Sequence, residues 1–212
     1  MTEAAIHPAQ LVPPGAGLQT ARLTASGCRA CELWERATQT VFGEGLTGAR
    51  LALVGEQPGD QEDLQGHPFV GPAGRVLNDA LETAGIDRDQ VFVTNVVKHF
   101  RWRPSGKRRL HEKPAVSHIR ACRPWLDLEL EMVRPNVLVA LGATAAQALI
   151  DPRFKITEQR GVLLEPVLPD GPRLIATLHP SAVLRVRGSD ERDEARRVLA
   201  TDLATAARAA YG

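Results

Sequence analysis

The stretch richest in reactive side chains is a basic segment, KHFRWRPSGKRRLH, which occupies residues 98–111. It holds six lysines or arginines and no acid, and Phe100 and Trp102 stand between the cations. Aromatic rings beside phosphate-binding charge are typical of surfaces for single-stranded or unstacked nucleic acid. A basic run is more often a solvated loop, so the two histidines of the segment, His99 and His111, need a separate explanation.

A second candidate is the glycine-rich stretch GEQPGDQEDLQGHPFVGPAGR, residues 55–75. Glycines between a strand and a helix allow close backbone approach and favour an anion cradle. The stretch matches neither G-x-G-x-x-G nor a P-loop, so dinucleotide and triphosphate binding lose support. Phe69 could either stack on a flat ligand from this loop or anchor the loop itself.

Two further polar side chains follow apolar runs that look like strands. The Asn95 amide carries a donor and an acceptor, so it could match the imide edge of a base or be satisfied within the core. His179, in LHPS, is either a turn cap or a donor aimed at a site. The segment after it places an apolar tip beside Arg185, which could wedge into nucleic acid while holding phosphate.

The three cysteines are Cys28, Cys31 and Cys122. The C-x2-C pair with a distant third cysteine is a pattern of metal or iron–sulfur ligation. The other interpretation is two unrelated thiols and one buried core cysteine. Disulfides fit poorly in an intracellular chain, and we expect a cytoplasmic protein without a membrane partner, since no apolar run reaches 18 residues and the N-terminus lacks a secretory signal.

The whole chain has 212 residues, 43% of them hydrophobic, and a formal net charge of +1. This suits one domain with a real core and argues against a protein that coats nucleic acid by bulk charge, while a local basic patch remains possible. The Pro-, Gly- and Ala-rich start predicts a loose N-terminal arm over residues 1–24, followed by a domain over 25–212.

Short β-branched runs alternate with helical periodicity along this domain. Strands are predicted at 51–54, 91–97, 137–141 and 174–178. Helices are predicted at 74–84, 116–133 (bent or restarted at Pro124), 143–150 and 191–210. The alternation predicts an α/β fold whose central, mostly parallel four-stranded sheet is covered on both faces. Ligands bind such sheets beyond the carboxyl ends of the strands, where the polar segments collect.

Together these segments resemble the family-4-like uracil-DNA glycosylases over roughly residues 25–210. The resemblance lies in the Gly-Glu-x-Pro-Gly turn that begins at Gly55, in HPFVGPAGR, in VTNVVK and in the His-Pro-Ser turn. It implies a three-layer α/β/α sandwich, uracil-containing DNA as the partner, with single strands preferred, and a monomer.

The resemblance also implies roles for individual residues. The base-binding set would be Gly55, Gln57, Asp60, Phe69 and Asn95. Phe69 would stack on the flipped uracil, and Asn95 would read its imide edge and reject cytosine. His179 would stabilise the departing uracil anion, and Gln57 would help to hold the base through main-chain or side-chain contacts. Phosphate contacts are expected from Lys107, Arg108, Arg109, Ser181 and Arg185, although Lys107 and Arg109 could pin the loop instead.

One departure from the ordinary family pattern indicates a subgroup. A cysteine that ligates a 4Fe–4S cluster in ordinary members is replaced by His99, Gln57 stands where a small residue is usual, and the KRRLH loop is added. This combination resembles the UdgX class, whose members excise uracil and become joined to DNA through the loop histidine. We therefore expect His111 to capture the sugar C1′, with Glu56 orienting or deprotonating it.

Two other functions remain open at this point. In an ordinary turnover glycosylase His111 would only contact phosphate, and in a non-catalytic metal protein the basic segment would only bind nucleic acid. The metal ligands implied by the resemblance are Cys28, Cys31, His99 and Cys122. The resemblance favours a structural 4Fe–4S cluster, whereas the donor set alone also suits zinc.

Overall fold

The computed structural model describes residues 6–166 and 171–212. Its strands are β1 (Glu44–Gly45), β2 (Leu51–Gly55), β3 (Val91–Asn95), β4 (Trp102–Ser105), β5 (Arg108–His111), β6 (Val137–Leu141), β7 (Leu163–Leu164) and β8 (Arg173–Thr177). Its α-helices are α1 (Leu18–Ala25), α2 (Asp60–Gln65), α3 (Pro72–Thr83), α4 (Val116–Val133), α5 (Ala143–Leu149), α6 (Ile156–Gln159), α7 (Pro180–Arg185) and α8 (Ser189–Tyr211).

The central sheet has the strand order β1-β3-β2-β6-β8-β7. The four predicted strands, β3, β2, β6 and β8, run parallel to one another in its centre. The prediction of four strands is wrong at the edges, where β1 and β7 pair antiparallel to β3 and β8. Each edge strand has only two residues, which is too short to produce an alternating pattern in the sequence.

Helices cover both faces of this sheet, as predicted for an α/β fold. Leu51 and Leu53 of β2 pack in one core with apolar residues of α3 and α8, such as Leu77 and Leu203. Val54 points to the other core, which it shares with residues of α4 and α5. The alternation along a strand that is buried on both sides produces the three layers.

Two of the predicted helices differ from the structure, one in where it begins and one in its continuity. The third helix begins at Pro72, where a proline at the first turn sacrifices no hydrogen bond. The fourth continues through Pro124 as one helix, so a restart at this proline is wrong. Cys122, Trp125 and Leu126 on its buried side pack on either side of the proline, and this packing offsets the hydrogen bond that proline cannot donate.

The basic segment is a β-hairpin and not a solvated loop. Strands β4 and β5 pair antiparallel, with Trp102 opposite His111, and Gly106 adopts φ of 57° in the turn. Phe100 is 1% exposed, so the prediction that it offers a stacking surface is wrong. Its ring belongs to the support of the hairpin, where it lies 6.2 Å from the His111 ring.

Residues 1–5 of the predicted N-terminal arm lie outside the described residues, and from residue 6 onward the arm is more ordered than its composition indicates. Residues Pro8–Leu11 form a 3-10 helix and α1 follows. Ala9, Ala21 and Ala25 are buried in a cluster with Trp125 of α4, so the small side chains that suggested looseness allow close packing. The domain boundary at residue 24 stays a prediction. Across the described residues, none of the helices combines the length and apolarity that a membrane crossing requires.

Candidate active site

A cavity of about 570 Å³ opens beyond the carboxyl ends of the parallel strands, where the sheet topology predicts a ligand. Eight of the residues predicted for the site line it: Glu56, Gln57, Phe69, Asn95, His111, His179, Ser181 and Arg185. Three further lining residues have polar side chains, Glu62, Lys113 and Thr144, and sequence reasoning missed Lys113 and Thr144. Thr144 follows β6, so its place after a strand end was the signal that could have identified it.

The inner wall of the cavity combines an aromatic ring with an amide. Phe69 adopts a φ of 57°, which is unusual for a residue with a side chain, and Gly74 permits this turn because a Cβ there would lie 1.7 Å from the Phe69 carbonyl oxygen. A Cβ on Gly55 would lie 2.3 Å from Asn95 Oδ1 and 2.7 Å from Phe69 Cζ. The glycine therefore gives both side chains their space.

Asn95 ends the buried strand β3 and its side chain is directed to the cavity. Within the described residues, its amide forms no hydrogen bond to another residue, and the 3% of the residue that is exposed lies at the cavity. Buried amides are normally paired. An unpaired donor and acceptor at the cavity wall can bind a ligand that offers the complementary pair.

His179 is held as a neutral hydrogen-bond donor. Its Nδ1 atom lies 3.1 Å from the Ser181 backbone nitrogen, which donates to it, and 2.8 Å from Ser181 Oγ. Accepting at Nδ1 leaves the hydrogen of the neutral ring on Nε2. Burial lowers the pKa of His179 to about 4. Ser181, predicted as a phosphate contact, thus fixes the tautomer of this histidine as well as lining the cavity.

Glu56 and His111 face each other at the mouth of the cavity, with Glu56 Oε1 3.2 Å from His111 Nε2. Thr144 Oγ1 donates a hydrogen bond to the other carboxylate oxygen, Oε2. Burial raises the pKa of Glu56, but the hydrogen bonds from His111 and Thr144 outweigh it and the net pKa is lowered. The carboxylate is therefore ionised at neutral pH and held with one oxygen toward the imidazole.

Gln57 fastens the open end of the hairpin. Its Nε2 donates to the carbonyl oxygens of Arg101 (3.1 Å) and Glu112 (3.0 Å), and its Oε1 accepts from the Arg101 backbone nitrogen (3.2 Å). Both amide hydrogens are thus used by the two residues that flank the strands of the hairpin. A contact of this residue to a base would come from its main chain, one of the two ways predicted.

Arg109 fastens the same hairpin from its outer side. Its Nε lies 2.6 Å from Asp60 Oδ1 and its Nη1 2.5 Å from Asp63 Oδ2, and Asp63 is fully buried. Of the two roles predicted for Arg109, phosphate contact and loop anchor, the ion pairs favour the anchor. They also hold the Asp60 carboxylate against the hairpin, and a contact of Asp60 to a base stays a prediction. Lys107 and Arg108 lie exposed at the tip.

The predicted metal ligands lie between the N-terminal segment, β3 and α4. Trp125 Nε1 donates to Cys28 Sγ at 3.2 Å, and the Lys98 backbone nitrogen donates to Cys122 Sγ at 3.4 Å. The neighbouring Cys122 thiol lowers the pKa of Cys31 to about 4, and the His99 ring adds to this effect. The four donors are brought to one region of the molecule from distant parts of the chain.

One ring nitrogen of His99 lacks a hydrogen-bond partner. Its Nε2 lies 2.9 Å from Thr40 Oγ1, but its Nδ1 is buried without a hydrogen-bond partner. A buried imidazole nitrogen without a partner is costly unless an electron-pair acceptor lies beside it. In the part of the chain that the structure describes, no three His, Cys, Asp or Glu side chains are grouped as a single metal ion requires. The thiols and this nitrogen nevertheless fit a soft metal centre by their chemistry.

Comparison with known proteins identifies the family of the chain. The sequence profile described as the Uracil DNA glycosylase superfamily matches residues 42–204. The chain is 39% identical to the type-4 uracil-DNA glycosylase of Thermotoga maritima over 83% of its own length and 85% of that protein. It is 40% identical to that of Archaeoglobus fulgidus (74% and 78%) and 35% identical to that of Pyrobaculum aerophilum (78% and 85%). The chain therefore belongs to the uracil DNA glycosylase superfamily.

Proposed function

We propose that this protein excises uracil from DNA and is then trapped as a covalent adduct between His111 and the deoxyribose C1′, in the manner of the UdgX class. The observation that carries the proposal is the Glu56–His111 pair at the mouth of a cavity whose inner wall holds Phe69, Asn95 and His179. A base held on that wall places its sugar at the mouth.

The inner wall suits a flipped uracil, which must first leave the base stack at a cost of a few kcal/mol. Phe69 offers a ring face, and the unpaired Asn95 amide offers the donor and acceptor that an imide edge requires. His179, neutral and donating from Nε2, stabilises negative charge on the uracil oxygen as the glycosidic bond breaks. A cationic imidazole is not needed, because an oriented neutral donor in a dry site is strong.

The mouth suits capture of the sugar. Bond cleavage leaves its electron pair on uracil and positive charge on C1′, which the ionised Glu56 offsets. An imidazole nitrogen of His111 then bonds to C1′, and the ring can pass its remaining N–H proton to Glu56. A fixed nucleophile outcompetes water through its effective concentration. Gln57 and Arg109 fix the position of His111, because Gln57 holds the open end of the hairpin and Arg109 holds its outer side.

A metal centre held by Cys28, Cys31, His99 and Cys122 completes the proposal, and a 4Fe–4S cluster is the form that the family resemblance implies. When bound, it would supply a structural crosslink and no chemistry in base excision. His99 stands three residues before the first strand of the hairpin, so these ligands would tie the N-terminal segment and α4 to the base of the hairpin.

The adduct is tested on a denaturing gel with purified protein and a labelled single-stranded oligonucleotide that contains one uracil. We expect a uracil-dependent shifted band that survives SDS and heat, with no such band for thymine or cytosine controls. His111→Ser should remove the band and leave excision with turnover, because water can then reach C1′. An oligonucleotide that is cleaved by alkali without any shifted band would instead indicate an ordinary glycosylase in which His111 contacts phosphate.

The metal centre is tested by Cys122→Ser, with Cys→Ser chosen because it keeps the size of the side chain. We expect loss of the visible absorbance of the purified protein, a lower unfolding temperature and weaker DNA binding, since two segments lose their crosslink. Metal analysis of the wild type distinguishes iron from zinc. A colourless variant with wild-type stability and activity would contradict a structural centre.

A further inference from the structure

Directly behind the inner wall lies a charged pair that has no contact with the cavity. Lys98 is 1% exposed and Glu129 is fully buried, and Lys98 Nζ lies 2.7 Å from Glu129 Oε2. The three ammonium hydrogens are all used, because Nζ also donates to Thr94 Oγ1 and to the Asn95 carbonyl oxygen, both at 2.7 Å. The second carboxylate oxygen accepts from the Gly43 backbone nitrogen at 2.8 Å.

Stability alone does not explain such a pair. Moving two charges out of water is costly, and replacing a buried ion pair by apolar side chains of similar size is often neutral or stabilising. Each member of this pair, however, has well-defined partners in its surroundings. A saturated, directional network of this kind fixes geometry more strongly than apolar contacts do.

The network acts on the peptide unit that follows Asn95. The carbonyl oxygen of that unit accepts from Lys98 Nζ, and its N–H, carried by Val96, donates to the Gly55 carbonyl oxygen at 2.9 Å. Both ends of one peptide plane are therefore held, one by the ion pair and one by the neighbouring strand. Fixing this plane fixes the backbone of Asn95 and with it the direction in which its amide projects.

We propose that Lys98 and Glu129 are positioning residues for uracil recognition, which hold the Asn95 amide in the orientation that matches the imide edge. This inference rests on the proposed function. Glu129 belongs to α4, the helix that carries Cys122, and the backbone nitrogen of Lys98 donates to the thiol of that cysteine. The pair therefore also connects the region of the metal ligands to the base-binding wall.

The test replaces both members together, as Lys98→Met with Glu129→Met, so that no buried charge is left alone. We expect a folded variant with wild-type metal content whose inhibition constant for free uracil rises about tenfold or more, equivalent to one misaligned hydrogen bond. Its dissociation constant for a thymine oligonucleotide should stay unchanged, because phosphate contacts lie elsewhere. Excision at saturating DNA should slow to a similar degree.

A matched control is Leu203→Ala on the opposite face of the sheet, which lowers stability through a cavity but leaves Asn95 untouched. It should keep the wild-type inhibition constant despite a lower unfolding temperature. A double variant that binds uracil as the wild type does, or that cannot fold, would overturn the positioning role. A wild-type protein that neither releases uracil nor is inhibited by it would contradict the proposed function itself.

Discussion

Two histidines share one cavity and differ in their surroundings. His179 is enclosed and accepts hydrogen bonds at Nδ1, whereas the His111 side chain is 48% exposed and faces a carboxylate. Burial keeps the first ring neutral, which suits a donor to a departing anion. The second ring lies at the open side, where a sugar can reach it. The environment of each ring thus assigns its chemistry more specifically than the residue type does.

The lowered pKa of His179 predicts a dependence of stability on pH. The folded protein binds a proton at this ring only near pH 4, whereas the unfolded chain does so near pH 6.5. Below about pH 6.5 the unfolded state therefore takes up the extra proton, and stability falls as pH decreases toward 4. At pH 5 the loss is at most about 2 kcal/mol.

Urea unfolding at pH 7.5 and pH 5 can measure this contribution. His179→Gln should lose less stability than the wild type between these two values, since it lacks the titrating ring. An equal loss in both proteins would show that this histidine is not held neutral in the fold.

At the scale of elements, the fold could be predicted where local signals are strong. The four central strands are continuous apolar runs because both faces of the sheet are covered. Glu56, Asn95 and His179, which stand at or just after the ends of these runs, line the cavity. The hairpin could not be predicted because its two strands lack an alternation of polar and apolar residues. Its strands contain Pro104 and several cations, and distant partners on the glycine-rich stretch hold it in place.

The roles of Gln57 and Asp60 could not be predicted either, because their partners are also distant in sequence. Both side chains stand in a stretch that suggests ligand binding, but the structure joins them to a hairpin about fifty residues later. Only tertiary structure brings Arg109 to the fully buried Asp63. Position along the chain thus indicated which side chains lie at the cavity, whereas the contacts that hold them come from residues distant in sequence and could not be predicted.

Arg109→Gln should therefore loosen the hairpin. Asp63 would remain buried without its cation, so the free energy of unfolding should fall by up to about 3 kcal/mol. This value is the low end for a broken buried ion pair, because Thr38 still donates hydrogen bonds to the Asp63 carboxylate. Adduct formation should slow by more than DNA binding weakens, since His111 ends the loosened strand. Chemical denaturation and single-turnover gels measure the two effects.

Arg108→Gln is the matched control for this change, because Arg108 lies one residue away on the same strand and is exposed. It should leave stability and the rate of adduct formation nearly unchanged. If both variants lost equal affinity for DNA and neither lost stability, Arg109 would be a phosphate contact and not an anchor.

At the scale of the whole molecule, the net charge of +1 leaves DNA binding to the placement of a few cations. Lys113 and Arg185 line the cavity mouth, where the backbone of a bound strand must pass if its base enters. Many other cations are paired with acids on the surface, such as Arg197 with Glu194 at 2.7 Å. The affinity for single strands should therefore depend on salt through a small number of contacts.

Lys113→Gln and Arg185→Gln should each reduce the slope of log affinity against log salt by about 0.7, the value for one phosphate contact on a single strand. A thymine oligonucleotide is the suitable ligand, because it binds without excision and separates backbone contacts from chemistry. Arg197→Gln, on the outer helix α8, should keep the wild-type slope. Fluorescence anisotropy at several salt concentrations measures all three slopes. An unchanged slope for both mouth variants would mean that the strand leaves the cavity along another surface, and the exposed hairpin tip with Lys107 and Arg108 would then be the next to test.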